Sequence, residues 1–199
     1  MDQVEQRRVA SAEQCRRPGS ADISSMSDAF AFAFAFAFAG APRRLRDSRP
    51  LGRRKNVGTI NTSFGATDDA TAATAVDDGP VSFAPVLDAV EATVQAGTLM
   101  ALLTGQTYEE VTAGPSWARL ITAPDHESAW VVSLPAEFTK AVACASDEKL
   151  AEVVGPWSQT EEFWGGEDPA ELLDMLREWR GLAQTTRERG ESMYCWMSL

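Results

Sequence analysis

The sequence predicts one small α+β domain over residues 81–199, in which a short mixed or antiparallel sheet packs with about four helices, preceded by a disordered leader over residues 1–80. Three observations predict it. Charge divides the chain: residues 1–56 hold 11 Lys/Arg against 6 Asp/Glu, net +5, whereas residues 57–199 hold 7 against 23, net −16. All six tryptophans and both tyrosines fall after residue 81. Within residues 81–199, apolar spacing of three and four alternates with spacing of two, so helices and strands mix in one unit. A stretch of about 120 residues buries roughly two-thirds of its unfolded surface, enough for an independent core.

The leader has no such pattern. Residues 29–39 alternate Ala and Phe, strand-like in period but apolar on both faces, and far short of the ~20 residues of a membrane-spanning helix. They read as a low-complexity leader, with Met26 an alternative start; as the apolar core of a secretory signal behind Arg7, Arg8, Arg16 and Arg17; or as an aggregation-prone strand. The run Arg43, Arg44, Arg46, Arg49, Arg53, Arg54, Lys55 opposes translocation, and without interleaved aromatics it reads as a solvated tail rather than a nucleic-acid patch. Asn61-Thr62-Ser63 matches a glycosylation sequon, which matters only in a secreted chain. Residues 57–80, rich in Ala, Thr, Gly and Asp, read as a linker ending at Asp77-Asp78-Gly79-Pro80.

The elements follow in order. β-Branched and aromatic residues between 81 and 90 predict a first strand, and residues 94–103 a helix weakened by Gly97 and stopped by Gly105. Residues 107–111 form a connection or a short helical turn. Two apolar runs, 117–121 and 130–134, flank a polar turn and predict a β-hairpin. Pro135 suits the first position of a helix whose face is Phe138, Ala141, Val142 and Ala145. Ser146-Asp147 opens a helix with the stripe Leu150, Val153, Val154 and Trp157, which Pro156 should kink or restart. The best-defined helix spans residues 168–189. Asp168 caps it, Pro169 and Glu171 fill its first turn, and Leu172, Met175, Leu176, Trp179, Leu182 and Ala183 form its stripe. Asp174 and Arg177 are spaced for a surface pair, and Gly190 ends the helix.

At the end of the chain, Met193, Cys195, Met197 and Leu199 share one face and Tyr194 and Trp196 the other, the signature of an interior strand. The stretches Trp130-Val-Val-Ser-Leu-Pro-Ala-Glu-Phe138 and Arg187-Glu-Arg-Gly-Glu-Ser-Met-Tyr-Cys-Trp-Met-Ser-Leu199, in this order of elements, resemble the small α+β domains of the YfbM-like family. The resemblance spans about a third of the chain, implies the α+β fold, and carries no activity.

Much chemistry is excluded by counting. One histidine, His126, cannot supply the two that H-E-x-x-H or Cys₂His₂ sites need. Set between Asp125 and Glu127 in a polar turn, it reads as an exposed loop residue, and no G-x-S-x-G motif offers it a nucleophile. Cys15, Cys144 and Cys195 share no short spacing, which removes C-x-x-C centres and fits a reducing compartment, with Cys144 and Cys195 as small buried hydrophobes. No Walker loop or G-x-G-x-x-G motif is present, and an anion at Gly165-Gly166 would meet Glu167 and Asp168.

The most unusual segment is 160–168, where Glu161-Glu162 and Glu167-Asp168 bracket Phe163-Trp164. Its aromatics either enter the core while its acids cap a helix, or form an acidic-rimmed loop that docks a basic partner. A third reading has two carboxylates share a metal or a proton. Glu109-Glu110 reads as a solvated pair. The expectation is therefore a cytoplasmic, non-catalytic interaction domain, adaptor-like or inhibitor-like, that binds a basic protein surface through Glu161, Glu162, Phe163, Trp164 and Glu167. It needs no cofactor or metal and binds neither membrane nor, through its folded part, nucleic acid. The alternative is a small hydrolytic or metal-assisted enzyme using the acids of residues 161–168.

Overall fold

The computed structural model describes residues 59–88, 90–163 and 167–199. The expectations for residues 1–58, the Ala-Phe repeat and the basic run among them, lie outside the described residues. Five strands form one sheet in the order β2-β1-β5-β4-β3, with every neighbouring pair antiparallel. They are β1 (Ile60–Ala66), β2 (Val86–Asp88), β3 (Arg119–Leu120), β4 (Ala129–Ser133) and β5 (Ser192–Ser198).

The terminal strand is central, as its two apolar faces require. β5 pairs along its whole length with β1, from Ile60 opposite Ser198 to Ala66 opposite Ser192, and on its other side with β4. Met193, Cys195 and Met197 point into the larger core. Tyr194 and Trp196 point into a smaller one with Phe64, Val131, Ala72 and Ala75. Successive strand residues face opposite sides, so an inner strand apolar on both faces needs a cover on each.

The larger core is roofed by α3 (Val94–Thr104), α5 (Ala136–Cys144), α6 (Asp147–Ser158) and α7 (Pro169–Glu188). These correspond to the four helices expected, and their caps form as predicted. Ser146 Oγ accepts from Lys149 N at 3.2 Å, Asp168 Oδ1 accepts from Ala170 N at 2.9 Å, and Gly105 and Gly190 end their helices at φ 74° and 69°. Pro135 serves as the cap of α5, one place earlier than expected. The Asp174–Arg177 pair forms at 2.8 Å, and Arg180 bonds Asp147 at 2.8 Å, fastening α7 to the start of α6.

Two expectations are corrected. Pro156 does not restart α6, which runs on through it to Ser158. Pro156 and Glu152 are both exposed, so water can satisfy the Glu152 carbonyl that the proline leaves without a donor, while buried Trp157 holds the last turn down. The boundary at residue 81 moves to residue 60. The supposed linker supplies β1, α1 (Asp69–Ala73) and α2 (Ala75–Asp78), and these helices cover the second face of the sheet. Ala72 at 0% and Ala75 at 2% exposure pack as small side chains that let a short helix lie close to the strands. Composition alone does not separate small packing residues from flexible ones. The predicted first strand shrinks to β2, preceded by a 3-10 turn at Val81–Phe83. The sequon lies inside β1, where Thr62 is buried and donates to Asp88 at 2.7 Å. Among the described residues no helix is long and apolar enough to cross a membrane.

A chain beginning at residue 81 is therefore expected to lose cooperative thermal unfolding, because it lacks the β1 partner of β5 and uncovers Val131 and Tyr194. Circular dichroism checks this; a sharp transition at the full chain's midpoint would contradict the role given to residues 60–78.

Candidate functional site

The segment singled out by sequence begins where α6 ends. Trp157, fully buried, donates its indole N–H to Gln95 O at 3.0 Å, which pins the end of α6 to the start of α3. Thr160 Oγ1 then donates to Trp157 O at 3.0 Å, and a 3-10 turn forms at Glu161–Phe163. Gln95 Nε2 reaches back to Glu162 O at 3.3 Å. The turn is thereby stitched to α3.

This geometry sorts the predicted residues. Phe163 is only 7% exposed, and its ring meets Trp157 edge-on at 4.8 Å and 79°. It packs as a core residue, with its ring already engaged by Trp157. Glu161 and Glu167 are exposed. Glu162 is half-buried, with Oε2 closed off from solvent and no hydrogen-bond partner among the described residues. Trp164 lies outside the described residues. Asp168 is occupied as the cap of α7.

The structure adds carboxylates that sequence reasoning did not join to this segment. α4 (Tyr108–Thr112) opens with a full capping box, Glu110 N to Thr107 Oγ1 at 3.2 Å and Thr107 N to Glu110 Oε2 at 2.8 Å. The short helical turn expected over residues 107–111 thus forms, and Glu109 and Glu110 are both exposed, as a solvated pair should be, with Glu110 also closing the cap. Tyr108 packs on α3 at Gly97, where an added Cβ would sit 2.6 Å from the ring. Burial raises the Tyr108 phenol above its ordinary value, and the charges of Glu91, Glu162 and Glu109 raise it further. Glu91 is itself a cap, accepting from Thr93 N and Val94 N at 2.7 Å each. A detectable signal was present: residues 57–118 contain eight Asp/Glu and no Lys or Arg. What brings Glu91, Glu109 and Glu162 around one phenol is the docking of α4 and the 3-10 turn on α3.

The remaining chemical groups are structural. His126 is half-buried rather than exposed: Nδ1 accepts from Ala129 N at 3.2 Å, and Nε2 lies 3.2 Å from Asp77 Oδ1, tying the β3–β4 turn to α2. Cys195 is buried as expected, and its thiol is pushed up to about 12, first by burial and then by the charge of Glu91. Cys144 is half-buried beside Arg187, 3.4 Å from Nη1, and so does not match the buried-hydrophobe expectation. Among the described residues no three His, Cys, Asp or Glu side chains converge as metal ligands.

Two outcomes follow. Phe163→Ala is expected to lower stability to urea by about 3–5 kcal/mol, as for a buried aromatic, where an exposed docking residue would shift it by about 0.5 or less. Stability should also fall as pH rises from about 9 to about 12. Cys195 and Tyr194 hold their protons to about 12 when folded, against ordinary values of 9.0 and 10.0, so the unfolded chain releases protons first and gains. Their contribution is complete below the ordinary values and disappears through the folded ones. Denaturant titrations at stepped pH, with Tyr194→Phe removing the tyrosine share of the slope, check the sign.

Comparison with protein-family models, with curated proteins and with solved structures finds no match to this chain.

Proposed function

We propose that this protein is a non-catalytic acidic interaction domain that binds a basic protein surface. The single observation that carries the reading is the distribution of charge. Of the 7 Lys/Arg in residues 57–199, Arg119, Lys149, Arg177 and Arg180 pair with Asp69, Glu152, Asp174 and Asp147. The region built from residues 57–118 has no cation of its own, and the charges of Glu91, Glu109 and Glu162 all bear on Tyr108, whose ring packs at Gly97 of α3.

Such a surface repels phosphate backbones and raises the local concentration of cationic partners, steering encounter in a salt-dependent way. With Phe163 committed to the core, the docking elements in this reading are the exposed Glu161 and Glu167, and Trp164 stays in the proposal as the aromatic anchor that its neighbours would rim. A cytoplasmic setting and kinship with the YfbM-like domains belong to the same proposal; they rest on composition and on the sequence stretches quoted above. No observation favours the hydrolytic or metal-assisted alternative over it.

Immobilised full-length protein is expected to retain a discrete protein from cell lysate that elutes as salt is raised well above about 0.15 M, where the screening length is about 8 Å. The Glu161→Gln, Glu162→Gln, Glu167→Gln triple variant should lose it. Retention no different from that of an unrelated protein of equal charge would remove the proposal's support.

A further inference from the structure

A second feature adjoins α4. A cavity of about 240 Å³ opens between the end of α3, α4 and the start of α5, walled by Val111, Trp117, Pro135 and Phe138, with Glu110 and Glu137 among its lining residues. We propose that it binds an organic cation, a primary ammonium carried on a short alkyl chain. This reading is independent of the acidic face, since none of the residues proposed there is among the lining of the cavity.

The walls are built and held. Trp117 donates its indole N–H to Thr93 O at 3.0 Å, and its ring meets Phe138 edge-on at 5.8 Å. Both fix the orientation of the indole. The next residue, Ala118, has φ 43°, a left-handed conformation that a side-chain-bearing residue rarely adopts. The chain turns there, between the indole at the cavity wall and Arg119 entering β3.

The charge at the cavity is one-sided. Glu110 is aimed by its bond to Thr107 N, which engages only Oε2. Glu137 is exposed in the first turn of α5. Among the described residues no Lys or Arg lines the cavity, and Lys140, one turn further along α5, has an interaction of its own.

An aromatic face attracts a cation, the apolar walls accept methylenes, and two carboxylates complement the ammonium. An anion would meet uncompensated negative charge. A hard dication, which takes six or more oxygens, would find a wall that is mostly carbon. The volume falls below the roughly 300 Å³ at which sites for drug-sized ligands begin, so the fit is to a small amine rather than a nucleotide. The same chemistry is offered by a free alkyl diamine and by a lysine side chain.

The test uses full-length ¹⁵N-labelled protein, following the Trp117 indole N–H resonance at fixed salt. n-Butylammonium is expected to shift it saturably, with Kd on the order of 1 mM, a scale set by a ligand of few atoms. Butan-1-ol, of similar shape but uncharged, should bind about tenfold more weakly, and so should n-butylammonium to the Glu110→Gln, Glu137→Gln variant. Glutamine keeps the capping acceptor at position 110, and Glu137 is exposed, so that variant should fold. Stronger binding of N-acetyl-lysine amide than of 1,4-diaminobutane assigns the site to a lysine of a partner; the reverse assigns it to a free diamine. Equal binding of butanol, a Kd within twofold in the double variant, or shifts spread evenly over all indoles without a Trp117 response would each overturn the proposal.

Discussion

A strand that is apolar on both faces has to be covered twice, and β5 sets this requirement at the centre of the sheet. One cover is large: α3, α5, α6 and α7 close over Met193 and Cys195, with Trp157 and Trp179 fully buried beneath them. The other is thin, two short helices and a 3-10 turn over Phe64, Val131 and Tyr194. The thin side carries a polar constraint as well. A buried tyrosine hydroxyl needs an acceptor, and Tyr194 finds it in Asp69 Oδ1 at 3.0 Å, on α1. Arg119 of β3 binds the other oxygen of Asp69 at 2.8 Å and, as the largest influence on it, holds that carboxyl below its ordinary range. One hydrogen-bonded chain thus joins α1, the central strand and an edge strand.

The acidity of the domain has a structural share. Asp68, Glu91, Glu110 and Asp168 each accept from backbone N–H groups at the start of a helix, where a carboxylate complements both the unsatisfied donors and the dipole. These groups would be acidic in any protein that used such caps. Within α4 and the segment around the 3-10 turn, Glu109, Glu161 and Glu167 have no such duty, so a cationic surface could meet them at no cost to the fold. Glu162 stands between the two groups, with its backbone tied to Gln95 and one carboxylate oxygen closed off from solvent.

The two proposed sites meet at α4. Toward α3 and the 3-10 turn, its Tyr108 is surrounded by carboxylates; toward α5, its Val111 and Glu110 line a cavity with an indole wall. A helix of one turn is held there by its capping box and by the absence of a side chain at Gly97, which lets the Tyr108 ring lie against α3.

By itself the sequence determined whatever depends on near neighbours: the caps at Ser146 and Asp168, the stops at Gly105 and Gly190, the stripe of α7, the alternation of β5 and hence its interior place. Helix ends and strand faces are set by backbone donors and side-chain period, both local. Tertiary structure alone decided that residues 60–78 join the sheet, since their small and polar side chains have no local pattern to distinguish a packed layer from a linker. It also decided the fate of Phe163. The same Glu-Glu-Phe turn would be stable with the ring in or out, and the ring goes in because Trp157 waits beside it, fastened to Gln95, 62 residues earlier in the chain. Contacts of that separation form only when the whole core closes, so no window of sequence contains them.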